Sequence, residues 1–130
     1  MDETLSRDII AAVDAGFDEQ VKLTADVTAL PSTRGQEATA QDFMAEQYRR
    51  RGLAVDRWKI DVEDIQDLPG FSPVAVSYEN AFNVVGVHRP KRKNGRSLIL
   101  NGHIDVVPTG PLDLWTKPAF SPHVENGWLF

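Results

Sequence analysis

The stretch Ser97-Leu98-Ile99-Leu100-Asn101-Gly102-His103-Ile104-Asp105-Val106-Val107-Pro108 carries the reading of this chain. Ser97 to Leu100 is a short apolar run of the kind that forms a strand, and Gly102 and Pro108 bound a polar exit from it. In an extended segment side chains alternate, so His103 and Asp105 point to one side and Ile104 to the other. That spacing lets a carboxylate accept a hydrogen bond from one imidazole nitrogen while the other nitrogen binds a metal. Asp105 then orients the ring and His103 ligates, with direct ligation by Asp105 left open by spacing alone. Taken as three letters, His-x-Asp more often means a cap and a turn acceptor at a strand's end. The conjunction of apolar run, glycine, His-x-Asp and Val-Val-Pro is what favours the metal site.

Upstream, a second apolar run, Ala81 to Val87, is separated from Ser97–Leu100 by a polar turn containing Asn94-Gly95. The two runs read as a β-hairpin, with pairing that stops near His88 because Pro90 cannot donate to a ladder. In a tight register His88 would lie diagonal to His103, roughly 7 to 8 Å away, so a one-metal site from His88, His103 and Asp105 is conceivable, though Pro90 argues against that register. Leu53 to Val62 alternates as a half-buried strand, with Trp58, Ile60 and Val62 facing inward against Arg57, Lys59 and Asp61. Glu63 to Asn80, with Pro69-Gly70 and Pro73, is a loop with room for one short strand at Val74 to Ser77.

Earlier still, Ser32 and Thr33 supply hydroxyl caps for a helix from about Gly35 to Arg51, which Gly52 closes. Its final Arg49-Arg50-Arg51 run favours the helix dipole and solvation rather than an anion site. Leu5, Ile9, Val13, Phe17 and Val21 fall four apart on an amphipathic helical face that breaks near Ala15-Gly16 and ends before Pro31. Downstream of the motif, prolines and Gly110 leave little regular structure before Asn126. Trp128-Leu129-Phe130 look like the start of a further strand that is cut off. This order describes an α/β domain whose helices cover a sheet, with its site outside the carboxyl end of a strand.

The chain has 130 residues, is 42% hydrophobic and 25% charged, and so has the composition of one folded domain. Fourteen Lys plus Arg against nineteen Asp plus Glu give a net charge of -5, which argues against nucleic acid as a partner. The basic cluster Arg89, Lys91, Arg92, Lys93 and Arg96 is read as a solvated hairpin tip. With no cysteine, any metal must be held by His, Asp or Glu. The opening residues lack a secretory signal, and no stretch approaches the ~20 apolar residues of a membrane span, so a cytoplasmic location is expected.

Leu98 to Pro108 resembles the first metal motif of the zinc-dependent aminoacylases, the family of acetylornithine deacetylase, succinyl-diaminopimelate desuccinylase, aminoacylase and glutamate carboxypeptidase. Trp115, Pro118, Phe120, Pro122 and Gly127 look like that family's aromatic and proline loop, although Trp115 and Phe120 are read as anchors of the loop before pocket walls. Leu30 to Thr33 is similar to its start. The resemblance implies the amino-terminal part of a helix-flanked mixed β-sheet catalytic domain, zinc-exopeptidase-like, spanning residues 1–130.

It further implies a hydrolase with two zinc ions, for which cobalt(II) could substitute, acting on linear amide or peptide bonds of N-acyl amino acids or peptides. Carried over by position, His103 ligates a zinc and Asp105 orients it; no other residue here maps onto a catalytic position. In the family a bridging aspartate, a glutamate base, further ligands and the dimerising domain follow later. The expectation is therefore a truncated chain, inactive alone, from a homodimeric protein. Alternatives are a non-enzymatic binding module that keeps the scaffold, and a carboxypeptidase or dipeptidase of the same family.

Overall fold

In this computed structural model, residues 3–73, 75–92 and 95–130 are described. The elements in chain order are α1 (Glu3–Ala15), α2 (Phe17–Thr28), α3 (Ala38–Arg50), β1 (Ala54–Lys59), β2 (Phe82–Val87), a 3-10 turn (Leu112–Leu114), β3 (Val124–Glu125) and β4 (Trp128–Leu129). They fall into two units, one of residues 31–110 and one combining 1–30 with 111–130. No helix among the described residues is long and apolar enough to cross a membrane.

In the unit of residues 31–110, α3 begins three residues later than its periodicity predicts. Gln36 N–H donates to Thr33 O at 2.8 Å, and Gly35 sits at φ +87°, a left-handed turn that a helix cannot include. No hydroxyl caps this helix. Instead Glu37 reaches back, its Oε1 accepting the Gly35 N–H at 2.7 Å. The carboxyl end closes as predicted. Gly52 adopts φ +72°, Leu53 N–H bonds to Tyr48 O at 3.0 Å, and the Arg51 guanidinium donates to Gln47 O at 3.2 Å.

Strand β1 pairs antiparallel with β2, from Ala54 opposite Val87 to Lys59 opposite Phe82, and α3 packs on both strands. The predicted face of β1 is reversed. Arg57, not Trp58, turns toward α3, where a guanidinium nitrogen meets Asp42 Oδ1 at 2.7 Å and the guanidinium lies 3.6 Å over the Phe82 ring. Ion pairing and ring stacking let a cation take the inner face, leaving Trp58 43% exposed on the other.

The hairpin expected between Ala81–Val87 and Ser97–Leu100 does not form; β2 pairs with β1. Residues 97–100 have no regular structure, with Leu98, Ile99 and Leu100 at least 80% exposed. An unbroken apolar run suits a strand covered on both faces, and the described residues provide neither cover. Of the expected turn, Asn94 lies outside the described residues, as does Lys93 of the basic cluster. The short strand expected over Val74–Ser77 is absent: Ala75 and Val76 form a bend, and Val74 lies outside the described residues. The loop before it is a run of turns, with Gln66 N–H bonded to Val62 O and Phe71 N–H to Leu68 O. Full burial among the described residues is confined to Ala40, Ala45 and Ser32, a far smaller core than the composition allows.

In the other unit, α1 and α2 meet at the predicted break, where Gly16 N–H still reaches Ala12 O at 3.1 Å. Neither helix buries a residue, and within the unit of residues 31–110 it is α3 that covers the sheet. Trp128-Leu129 is a strand, as expected. It pairs back on Val124-Glu125 across Asn126-Gly127, whose φ angles of 51° and 81° make the left-handed two-residue turn that this dipeptide favours. Among the described residues the strands form two antiparallel pairs, β1–β2 and β3–β4, and Thr33 makes an isolated parallel bridge to Val106, so the mixture of helix and sheet is compatible with part of an α/β domain.

Candidate metal-ligand site

Ile104 to Val106 passes beside Ser32-Thr33, and that contact places the motif. Ser32 Oγ donates to Ile104 O at 2.5 Å, and Val106 N–H donates to Ser32 O at 2.9 Å. Ser32 is only 4% exposed, so water does not compete for these bonds. Its hydroxyl, predicted to cap α3, serves the motif instead.

His103 and Asp105 lie on one side of the backbone and touch. His103 Nδ1 is 3.0 Å from Asp105 Oδ1 and 3.2 Å from Asp105 O. A carboxylate and a carbonyl oxygen both accept, so the tautomer of the neutral ring that satisfies this contact is the one with its proton on Nδ1 and the Nε2 lone pair free. The His103 side chain is 85% exposed, and that of Asp105 is 36% exposed. An imidazole held at one nitrogen by a carboxylate and open at the other is arranged as a metal-ligating histidine is.

The pair opens on a cavity of about 500 Å³, whose walls also include Arg34, Glu37, Gln41 and Tyr78. Cation, carboxylate and amide from the start of α3 and the turn before it therefore share a space with the imidazole. A zinc site needs three or four protein ligands. Among the described residues no group of three or more His, Asp or Glu is placed to hold a metal, and the site imagined from His88, His103 and Asp105 is not formed.

The remaining histidine has a structural setting. His123 stacks on Phe130 with ring centroids 5.3 Å apart, and its Nε2 lies 3.8 Å from Glu125 at the base of the β3–β4 hairpin. Trp115 is about half-exposed and Phe120 less so. The residue that sequence reasoning missed is Ser32. Its neighbours, Pro31 and the α3 helix, gave a capping role, and nothing local signals a partner 72 positions away.

Comparison with known proteins adds a class and then one relative. No protein-family model matches the chain. Among curated proteins the chain is similar to a hydrolase. That protein is the succinyl-diaminopimelate desuccinylase of Stenotrophomonas maltophilia (strain K279a), 30% identical over 110 residues, 83% of this chain and 23% of the relative. The chain thus spans about a quarter of the length of this relative.

Proposed function

We propose that this chain carries the first metal-ligand segment of a zinc-dependent amide hydrolase of the aminoacylase and desuccinylase family. The enzyme would remove an acyl group from an N-acyl amino acid. The observation that carries the reading is the His103–Asp105 contact, Nδ1 to Oδ1 at 3.0 Å, within a chain similar to a desuccinylase. In this reading His103 offers Nε2 to one of two zinc ions, for which cobalt(II) could substitute, and Asp105 fixes the ring. The bound metal would polarise the amide carbonyl and activate water. The other ligands, the general base and a dimerising domain would come from parts of the protein other than these 130 residues, and the protein would work in the cytoplasm on small acylated amino acids or peptides.

The test is a chain extended beyond Phe130, assayed on N-succinyl and N-acetyl amino acids with and without chelator. Activity should vanish with chelator and return with zinc. His103→Ala should abolish it, while Asp105→Ala should lower kcat/KM about 10- to 100-fold, the usual effect of losing a carboxylate behind a ligating histidine. Undiminished activity in His103→Ala would sink the proposal. The 130 residues alone should hydrolyse none of these substrates and bind zinc weakly.

A further inference from the structure

We infer that Ser32 is a positioning residue for the His103–Asp105 pair, selecting the histidine tautomer that leaves Nε2 free. The inference starts from what Ser32 holds. Ile104 O, which accepts the Ser32 hydroxyl at 2.5 Å, lies on the peptide plane before the Asp105 Cα. Val106 N–H, which donates to Ser32 O at 2.9 Å, lies on the plane after it. Peptide groups are planar, so two soft dihedrals alone connect those planes, and tethering both to one residue fixes them. The direction of the Asp105 Cα–Cβ bond is then set, and with it the rotamers that bring the carboxylate to the imidazole.

Both acceptors that face the imidazole depend on this. Asp105 Oδ1, 3.0 Å from Nδ1, is reached from the fixed Cα–Cβ bond by a single choice of rotamer. Asp105 O, 3.2 Å from Nδ1, belongs to the same peptide plane as the Val106 N–H. The pair cannot be held by burial, because the His103 side chain is 85% exposed. Ser32 is buried, and the Thr33–Val106 bridge secures the same segment one residue on. A buried anchor therefore sets an exposed pair. Without the hydroxyl the carboxylate gains freedom, water competes for Nδ1, and the ring relaxes toward the Nε2–H form that an unconstrained imidazole favours. That form has no lone pair at Nε2 to offer a cation.

The consequence for metal ligation rests on the function proposed above, whereas the tautomer itself does not. The test uses the 130-residue chain and nitrogen-15 NMR of the His103 ring at a pH where it is neutral. Ser32→Thr and Ser32→Val form a matched pair that differs only in a hydroxyl for a methyl. The native chain and Ser32→Thr should be mostly Nδ1–H. Ser32→Val should be mostly Nε2–H, with Val106 amide exchange about tenfold faster, a change of the size expected for one lost hydrogen bond. Ser32→Ala adds no atoms and gives the same reading if the larger side chains disturb the fold. Equal tautomer populations with and without the hydroxyl, or a native chain already mostly Nε2–H, overturn the inference. Retained hydrolysis in His103→Ala of the extended chain would instead remove the metal role and leave the tautomer result standing.

Discussion

A Cβ on Gly86 would lie 2.8 Å from Tyr48 Cγ and 2.9 Å from Leu53 Cδ1, so a side chain at this position in β2 requires both neighbours to shift. Gly86→Ala should destabilise the chain by about 1 to 3 kcal/mol, the usual range for overpacking, as read by urea denaturation. The cost should fall in a Tyr48→Ala background, where the ring is gone, while the part due to Leu53 Cδ1 remains. At this same scale the legibility of the site divides cleanly. The shared side of His103 and Asp105 is written in a two-residue spacing, because alternation is a local property of extended backbone. Ser32 is not legible, because the hydrogen bond that gives it meaning joins residues 72 apart. Its hydroxyl could cap a helix or anchor a distant loop, and local sequence favours the cap.

Among the elements, α3 and its glycine closure follow from propensity and capping, and the Gly16 break between α1 and α2 from the weak helix propensity of glycine. The β1 faces do not follow. Alternation places Trp58, Ile60 and Val62 together but cannot say that Arg57 will find both Asp42 and the Phe82 ring on α3's side of the sheet. Arg57→Ala should cost about 1 to 2 kcal/mol, combining a partly exposed ion pair with cation–π stacking. Arg57→Lys should recover part of the pair but little of the stacking. A double-mutant cycle with Asp42→Ala, measured at low and at high salt, separates the two: coupling to Asp42 should shrink with salt, while the stacking contribution persists. The β3–β4 hairpin carried a readable signal in Asn126-Gly127, overlooked because the prolines before it argued for irregular chain.

For the molecule as a whole, the consequence lies in Leu98, Ile99 and Leu100, each at least 80% exposed directly before the site. A contiguous apolar stretch in water is prone to associate. Ile99→Lys should therefore lower concentration-dependent association in sedimentation velocity while changing unfolding free energy by less than about 0.5 kcal/mol, as substitutions at open surface positions do. An unchanged sedimentation profile together with a large loss of stability would show the run to be packed rather than open. By itself the sequence determined the helices, their breaks, the alternation of β1 and the common side of His103 and Asp105, because each depends on neighbours within a few residues. Only the tertiary structure decided that β2 pairs with β1 and not with Ser97–Leu100, that Arg57 turns inward, and that Ser32 lies beneath the motif. Those outcomes depend on which surfaces and hydrogen-bonding groups from distant parts of the chain compete for the same partner, and periodicity contains no record of that competition.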